Sequence, residues 1–194
     1  MEVQAILNRV QQILLKPKAA WAQIDTEPVN VPELYKTYIA PLAAIPPVAT
    51  FIGFSVLGMG FFRMPLGSGL AQMIFGYALS LVAVYAFALI IDYLAPQFGA
   101  QKNFNQAFKV AAYGSTASWV AGVFSIIPAL GILSVLGGLY SLYLIFIGLP
   151  MLMKPPEDKA TTYTVASIGV AIVLSIIVAL ITTRLFQPAF VVPG

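Results

Sequence analysis

The residues able to do chemistry are few and far apart. Between Glu33 and Glu157 the chain carries one acidic side chain, Asp92, at the end of a charge-free run that begins at Leu70. Lys102 and Lys109 follow, then Tyr113, Gly114 and the hydroxyls of Ser115, Thr116 and Ser118. One carboxylate near two ammonium groups could hold a proton, form an ion pair or bind a cation, and each of these needs a companion group. The sequence has no histidine and no cysteine, which removes imidazole acid–base catalysis, thiol nucleophiles, thiolate metal sites and disulfides. Without a second acid nearby, paired-carboxylate chemistry has no partner, and a single Asp is a thin set of metal ligands. The inventory therefore points to no enzyme, no metal and no cofactor.

The position of Asp92 still demands an explanation. A negative charge at the C-terminal end of a helix opposes the helix dipole, at a cost of about 0.3 to 1 kcal/mol. Two partners lie nearby in sequence: Lys109, and the start of the next helix, where Asn103 and Gln106 resemble a capping box. Either would lock the second and third apolar segments together. The plainer alternative is a carboxylate solvated at a membrane boundary. Hydroxyls inside helices usually bond their own backbone or a neighbouring helix, which is the plain reading of Ser115, Thr116 and Ser118.

The elements that must position these residues are apolar. Of 194 residues 60% are hydrophobic and 9% charged, against about 25% charged in soluble domains, so most of the surface must face lipid. Counted against the roughly twenty residues that cross a hydrocarbon layer, the sequence predicts five spans, near Tyr38–Phe62, Leu70–Ile91, Ala107–Ile127, Ala129–Met153 and Tyr163–Ile181. Pro128 alone separates the third from the fourth, which makes that junction a tight hairpin or a kinked, re-entrant piece. Pro41, Pro46 and Pro47 in the first span and Gly131, Gly137, Gly138, Gly148 and Pro150 in the fourth suit close helix packing, as Ser134 and Gly138 could provide at four-residue spacing. The sharper reading is a path lined by broken helices, although the two halves show no repeat.

Ahead of the spans, Val3, Ile6, Leu7, Val10, Ile13 and Leu14 draw one apolar stripe on a helix. Pro17 breaks it, and Lys18–Ile24 forms a second amphipathic piece carrying Trp21, a residue favoured at the water–lipid boundary. Both pieces either lie on the membrane or pack on the bundle. The first piece lacks the compact apolar core and cleavage site of a secretory signal, so the N-terminus is expected to be retained. In a five-span plan Arg9, Lys16, Lys18, Lys36, Lys102, Lys109, Lys154 and Lys159 share one side, and Arg63 and Arg184 the other. That asymmetry predicts a cytoplasmic N-terminus and an external C-terminus. The expected organisation is all-α: an interfacial segment over 1–35, a five-helix transmembrane domain over 36–186 and an external tail over 187–194.

Several stretches together resemble one family. Asp92, Tyr93, Leu94, Ala95 and Pro96 are similar to the Asp-Leu-Tyr-Gly-Pro signature of the Yip family, multi-pass proteins first described as partners of Ypt/Rab GTPases. Asp and Pro keep the family spacing, Tyr is displaced by one place and Ala replaces Gly. The run Ala112–Ser118 resembles that family's Gly-Tyr-Gly-x-x-Val-Pro motif, keeping Tyr113 and Gly114. The segments KPKAAWAQI from Lys16 and LYSLYLIFIGLPMLMKPPEDKA from Leu139 are similar to bacterial members. The resemblance spans nearly the whole chain and implies a five-helix bundle in the bacterial inner membrane with a cytoplasmic N-terminus. It singles out Asp92, Pro96, Tyr113 and Gly114, which join Lys102 and Lys109, the basic neighbours of Asp92, as candidate functional or structural residues. The expected role is a non-enzymatic organiser whose partners are membrane lipids, other membrane proteins or a second copy, with no nucleic acid; the alternative is a small transporter, channel or lipid-handling protein. Eukaryotic members serve vesicle traffic, membrane shaping and Rab recruitment, but a bacterial chain with so short an N-terminal region lacks the Rab partner.

Overall fold

The computed structural model describes residues 3–58 and 63–186, and every regular element among them is helical. Helix α1 covers Val3–Leu15 and α2 covers Pro17–Thr26. Pro17 both ends the first helix and opens the second, because a proline at the first helical position lacks only an N–H that would be unpaired anyway. The two form a hairpin that packs into the protein and not merely on its surface: Val10, Ile13, Ala20, Trp21 and Ile24 are buried.

Helix α3, Val31–Leu57, starts earlier than the hydropathy boundary at Tyr38 because Asn30 caps it, accepting from the Glu33 N–H at 3.2 Å. The expected end of this span, 59–62, lies outside the described residues, as does the expected external tail at 187–194. Beyond Pro32 in its first turn, Pro41, Pro46 and Pro47 remove interior backbone donors, and the helix widens to five-residue bonds over Tyr35–Ile39 and again over Ile52–Leu57. The Ala40 carbonyl within this irregular stretch accepts from the Tyr77 hydroxyl at 3.1 Å, the kind of rescue from a neighbouring helix that an apolar surrounding requires.

Helix α4, Leu66–Leu94, continues as a tighter 3₁₀ turn over Ala95–Phe98. Gly99 ends it with φ +74°, a left-handed backbone that glycine adopts without a Cβ penalty. Helix α7, Gly131–Met153, and helix α8, Glu157–Leu185, are joined through Lys154, Pro155 and Pro156. Glu157 and Asp158 sit in the first turn of α8, where the dipole favours them.

Four helices, beginning at Val31, Leu66, Pro128 and Glu157, are long and apolar enough to cross a membrane. The expected third span is different. It is broken into α5, Phe104–Gly114, α6, Thr116–Ala121, and a 3₁₀ stretch over Gly122–Ile126. The break falls at Ser115, whose hydroxyl turns back onto the Ala111 carbonyl at 2.8 Å and competes with the helical ladder. Apolar content gave no hint of this, because the interruption is made by hydroxyls and a glycine, not by charge.

The broken segment nonetheless runs antiparallel beside α7, from Ile145 to Ser134. Gly114 meets Ile145, the Ser118 N–H donates to Ser141 Oγ at 2.8 Å, and Ser134 Oγ donates to the Ala121 carbonyl at 3.0 Å. The Ser118 N–H is an unpaired donor at the start of α6, so Ser141 acts as a cap supplied from another helix. A Cβ on Gly114 would stand 2.6 Å from Ile145 Cγ1, and Gly137, not Gly138, makes the close approach to Ala121 lower down. α3 lies parallel to the same segment, with Tyr38 at Thr116, Pro46 at Gly122 and Gly53 at Ser125. α8 returns antiparallel to α4, with Tyr163 at Ile91 and Thr182 at Gly76.

Candidate functional site

At the end of the bundle where α2 finishes, the last carbonyls of that helix point inward. A helix C-terminus carries unpaired carbonyls and a partial negative charge, and α2 adds Asp25 and Glu27 to that charge. Sequence logic applied to Asp92 applies here with more force: a cation had to be found. It is Lys109, in the middle of α5. Its ammonium donates to the carbonyl oxygens of Ile24 at 2.8 Å, Asp25 at 3.5 Å and Glu27. All three ammonium hydrogens thus have acceptors, which explains how a lysine can be only 4% exposed.

The two acids are held by different elements. Asp25 accepts from Lys154 Nζ at 2.9 Å and from Gln106 Nε2 at 2.7 Å. Glu27 receives Arg9 Nη2 at 2.7 and 2.8 Å and Gln23 Nε2 at 2.9 Å. Cations from α1, α5 and the end of α7 therefore converge on one short helix. Gln106 serves twice: its N–H is capped by the Asn103 side chain at 3.2 Å, as the capping pattern suggested, while its side chain leaves the cap for Asp25.

Beneath the charges lies an aromatic layer. Tyr113 stands edge-on to Tyr38 at 4.9 Å and to Trp21 at 6.4 Å, and the Arg9 guanidinium lies 5.7 Å from its ring centre. The Tyr38 hydroxyl shares a buried 2.8 Å hydrogen bond with Thr116 Oγ1. Trp21, expected at the water–lipid boundary, is fully buried instead. Its indole seats against Gly148 of α7, where any Cβ would collide with the ring, and this socket overrides the interfacial preference of the side chain.

The residues singled out by sequence are thus divided. Lys109, Tyr113 and Gly114 lie in this node and its supporting packing. Asp92 does not. It sits partly buried at the end of α4, its Oδ1 is buried without a hydrogen-bond partner, and Lys109 has turned toward α2. The neighbouring Ile91 carbonyl takes the Tyr163 hydroxyl at 2.6 Å, so the polar tie at this point joins α4 to α8 and not to α5. Pro96 is exposed in the 3₁₀ turn. Lys102 is exposed with its ammonium 5.8 Å from the Tyr93 ring centre. Arg9, Asp25, Glu27 and Lys154 were the residues that sequence reasoning passed over; the available signal was a pair of acids at the C-terminal end of an amphipathic helix. A separate cavity of about 110 Å³ lies between α3, α4 and α8 at the far end, lined by Pro47, Phe51, Gly69, Gln72 and Thr182 among others, and Asp92 is not on its wall. Among the described residues no cluster of acids could hold a metal ion.

Comparison with known proteins agrees with this architecture. A family model for the Yip1 domain matches residues 12–180. The inner membrane protein YohC of Escherichia coli K12 is 20% identical over 183 residues, covering 90% of this chain and 94% of that protein, and its counterpart in strain O6:H1 matches equally. No solved structure gives a significant match.

The node makes a graded prediction. Lys109→Met strands the buried carbonyls of Ile24, Asp25 and Glu27, while both carboxylates keep their other partners, and is expected to cost about 3 kcal/mol. Lys154→Ala removes a cation whose side chain is 68% exposed and is expected to cost less than about 1 kcal/mol. Denaturant unfolding in detergent, followed through the buried Trp21 and Trp119, measures both; equal losses would refute the assignment of Lys109 as the central cap.

Proposed function

Because the chain belongs to the Yip1-domain family, whose model covers most of its length, we propose that it is a non-enzymatic organiser of membrane lipid or partner proteins in the bacterial inner membrane. The observation that carries this reading is the docked hairpin. The strongest polar contacts of the protein, those of Lys109, Arg9, Lys154, Asp25 and Glu27, are spent on fastening α1 and α2 to the bundle. These groups bond mainly to one another and to the ends of the hairpin, which is the work of a fastening. What they hold is a surface: the outward side of α1 and α2 presents polar side chains, Lys16 and Lys18 to whatever lies beside it. A rigidly mounted surface suits recognition of a lipid or a protein.

The reading includes five crossings, with residues 1–35 on the inner side and the C-terminus outside. The antiparallel course of the broken segment along α7, from Ile145 to Ser134, supports counting it as a crossing, since α7 is itself long enough to span. The chain contains no cysteine, so single cysteines report topology cleanly. In intact cells, Arg184→Cys is expected to react with an impermeant maleimide and Lys102→Cys only after permeabilisation. The reverse pattern would overturn the orientation.

The role itself is tested by placing a photo-crosslinking residue at Gln11, exposed on the hairpin, in native membranes. A discrete set of lipid or protein adducts is expected there, different from the bulk-lipid adducts expected from the same group at Val173 on the exposed apolar face of α8. Identical adduct patterns at the two sites would remove the hairpin as the recognition surface.

A small transporter, channel or lipid-handling protein is the second reading, favoured by one observation, the buried and unpartnered Oδ1 of Asp92. Liposome flux that Asp92→Asn abolishes would establish it; no flux from the parent protein would remove it.

A further inference from the structure

The hairpin does not lie across the end of the bundle. The Leu14 carbonyl, at the last turn of α1, accepts from the Tyr140 hydroxyl at 2.8 Å, while the other end of α2 is fastened to Lys154 through Asp25. Tyr140 and Lys154 are separated by nearly four turns of α7, about 21 Å at the helical rise. Trp21, midway along α2, meets Gly148, midway between them. The hairpin therefore descends alongside α7, and its turn at Lys16 and Pro17 rests near the level of Tyr140.

That turn and the outward side above it are mostly polar, with Val3 and Leu7 the large apolar side chains exposed above the tip. Gln4, Asn8, Gln11, Gln12 and Gln23 are exposed, as are Lys16 and Lys18, with Leu15 at the tip 77% exposed. Such a face is not compatible with the hydrocarbon layer, where each lysine is costly and amide groups find no partners. Beneath the tip only Gly131–Tyr140 of α7 remains, about 14 Å of helix, half the roughly 30 Å of a normal hydrocarbon layer.

The opposite flank tells a different story at the same height. The Tyr77 hydroxyl reaches Ala40, two residues from Tyr38, which bonds Thr116; two residues on, Ser118 faces Ser141, next to Tyr140. Ile74, less than one turn from Tyr77, is thus level with the hairpin tip. It is exposed and belongs to an apolar wall in which Leu70, Ile74, Val82 and Leu89 all face outward, together with Val165 to Leu185 on α8. That wall is about 29 Å tall from Leu70 to Leu89, the full thickness of a hydrocarbon layer.

We propose that the α1–α2 hairpin draws the phospholipid headgroups of its own leaflet down to the middle of the bundle, thinning the bilayer along one flank, with Lys16 and Lys18 binding the lipid phosphates. This rests on the reading of α7 and α4 as membrane-crossing helices. A bilayer meeting a short apolar face yields by thinning locally, and two exposed ammonium groups at the boundary complement anionic headgroups. The occupant is phospholipid and not a protein partner, because the face changes from polar to apolar along the membrane normal, at the tip, as a lipid boundary does.

The absence of native cysteine makes the test direct. The full chain carrying Leu15→Cys or Ile74→Cys, labelled with a small fluorophore, is reconstituted in vesicles of phosphatidylglycerol and phosphatidylethanolamine that contain a quencher either on the headgroup or deep in the acyl chain. At Leu15→Cys the headgroup quencher is expected to act at least about twofold more strongly than the deep one, and at Ile74→Cys the order is reversed. Adding Lys16→Gln and Lys18→Gln is expected to lower headgroup quenching at Leu15→Cys by at least about twofold. The proposal is overturned if the deep quencher dominates at both positions, if neither quencher reaches Leu15→Cys, or if the lysine substitutions change nothing. Failure of both lipid quenchers at Ile74→Cys would instead sink the membrane-crossing reading beneath it.

Discussion

A backbone carbonyl that has left water must be given a donor, and the arrangement of this protein follows from where those donors come from. The end of α2 offers the most demanding case, with several carbonyls and two carboxylates turned into the bundle. Lys109 answers it from α5, and the position of α5 then fixes much else. Tyr113 and Gly114, a turn further along, meet Trp21 and Ile145, so the capping of one helix and the packing of the next are a single event. Without the lysine, the end of α2 would carry unpaired carbonyls into the bundle even with Trp21 seated at Gly148.

The cost of this solution explains the shape of the charge network. A lone ammonium taken into a low-dielectric interior is strongly unfavourable, and pairing recovers the loss only when every hydrogen is used. Lys109 uses all three on main-chain oxygens, leaving Asp25 and Glu27 to be matched by Lys154, Gln106 and Arg9. The buried cation is thus neutralised by charges nearer to water, and the exposed members of the set can be screened by salt without freeing the buried one.

Much of this was legible in the amino-acid order, and the limits were physical. The apolar runs at Leu70–Ile91 and Ala129–Met153 report their helices within a few residues, because a lipid-facing element needs little more than length and hydropathy. The third segment escaped, since its interruption depends on what Ser115 and Thr116 bond, and no window average contains that. Asp92 drew attention because it is alone in sequence, yet isolation in sequence says nothing about depth in space; the charge cluster that matters was assembled from Arg9, Asp25, Glu27, Lys109 and Lys154, residues scattered over most of the chain. The amphipathic stripe of α1 and α2 was correctly read as needing an apolar surface, but a stripe cannot distinguish lipid from protein. Gly148 decided the matter, by leaving a hole the size of an indole.

Four tyrosines grip main-chain oxygens on another helix: Tyr35 takes Leu81, Tyr77 takes Ala40, Tyr140 takes Leu14 and Tyr163 takes Ile91. A clasp on the peptide unit is blind to the residue that carries it, so exchanging the side chain at Leu81, Ala40 or Leu14 leaves the bond in place, whereas Ile91, fully buried, stays bound by its packing. Such a seam is specified by the phenols and by the helical backbone they reach, and not by the letter opposite.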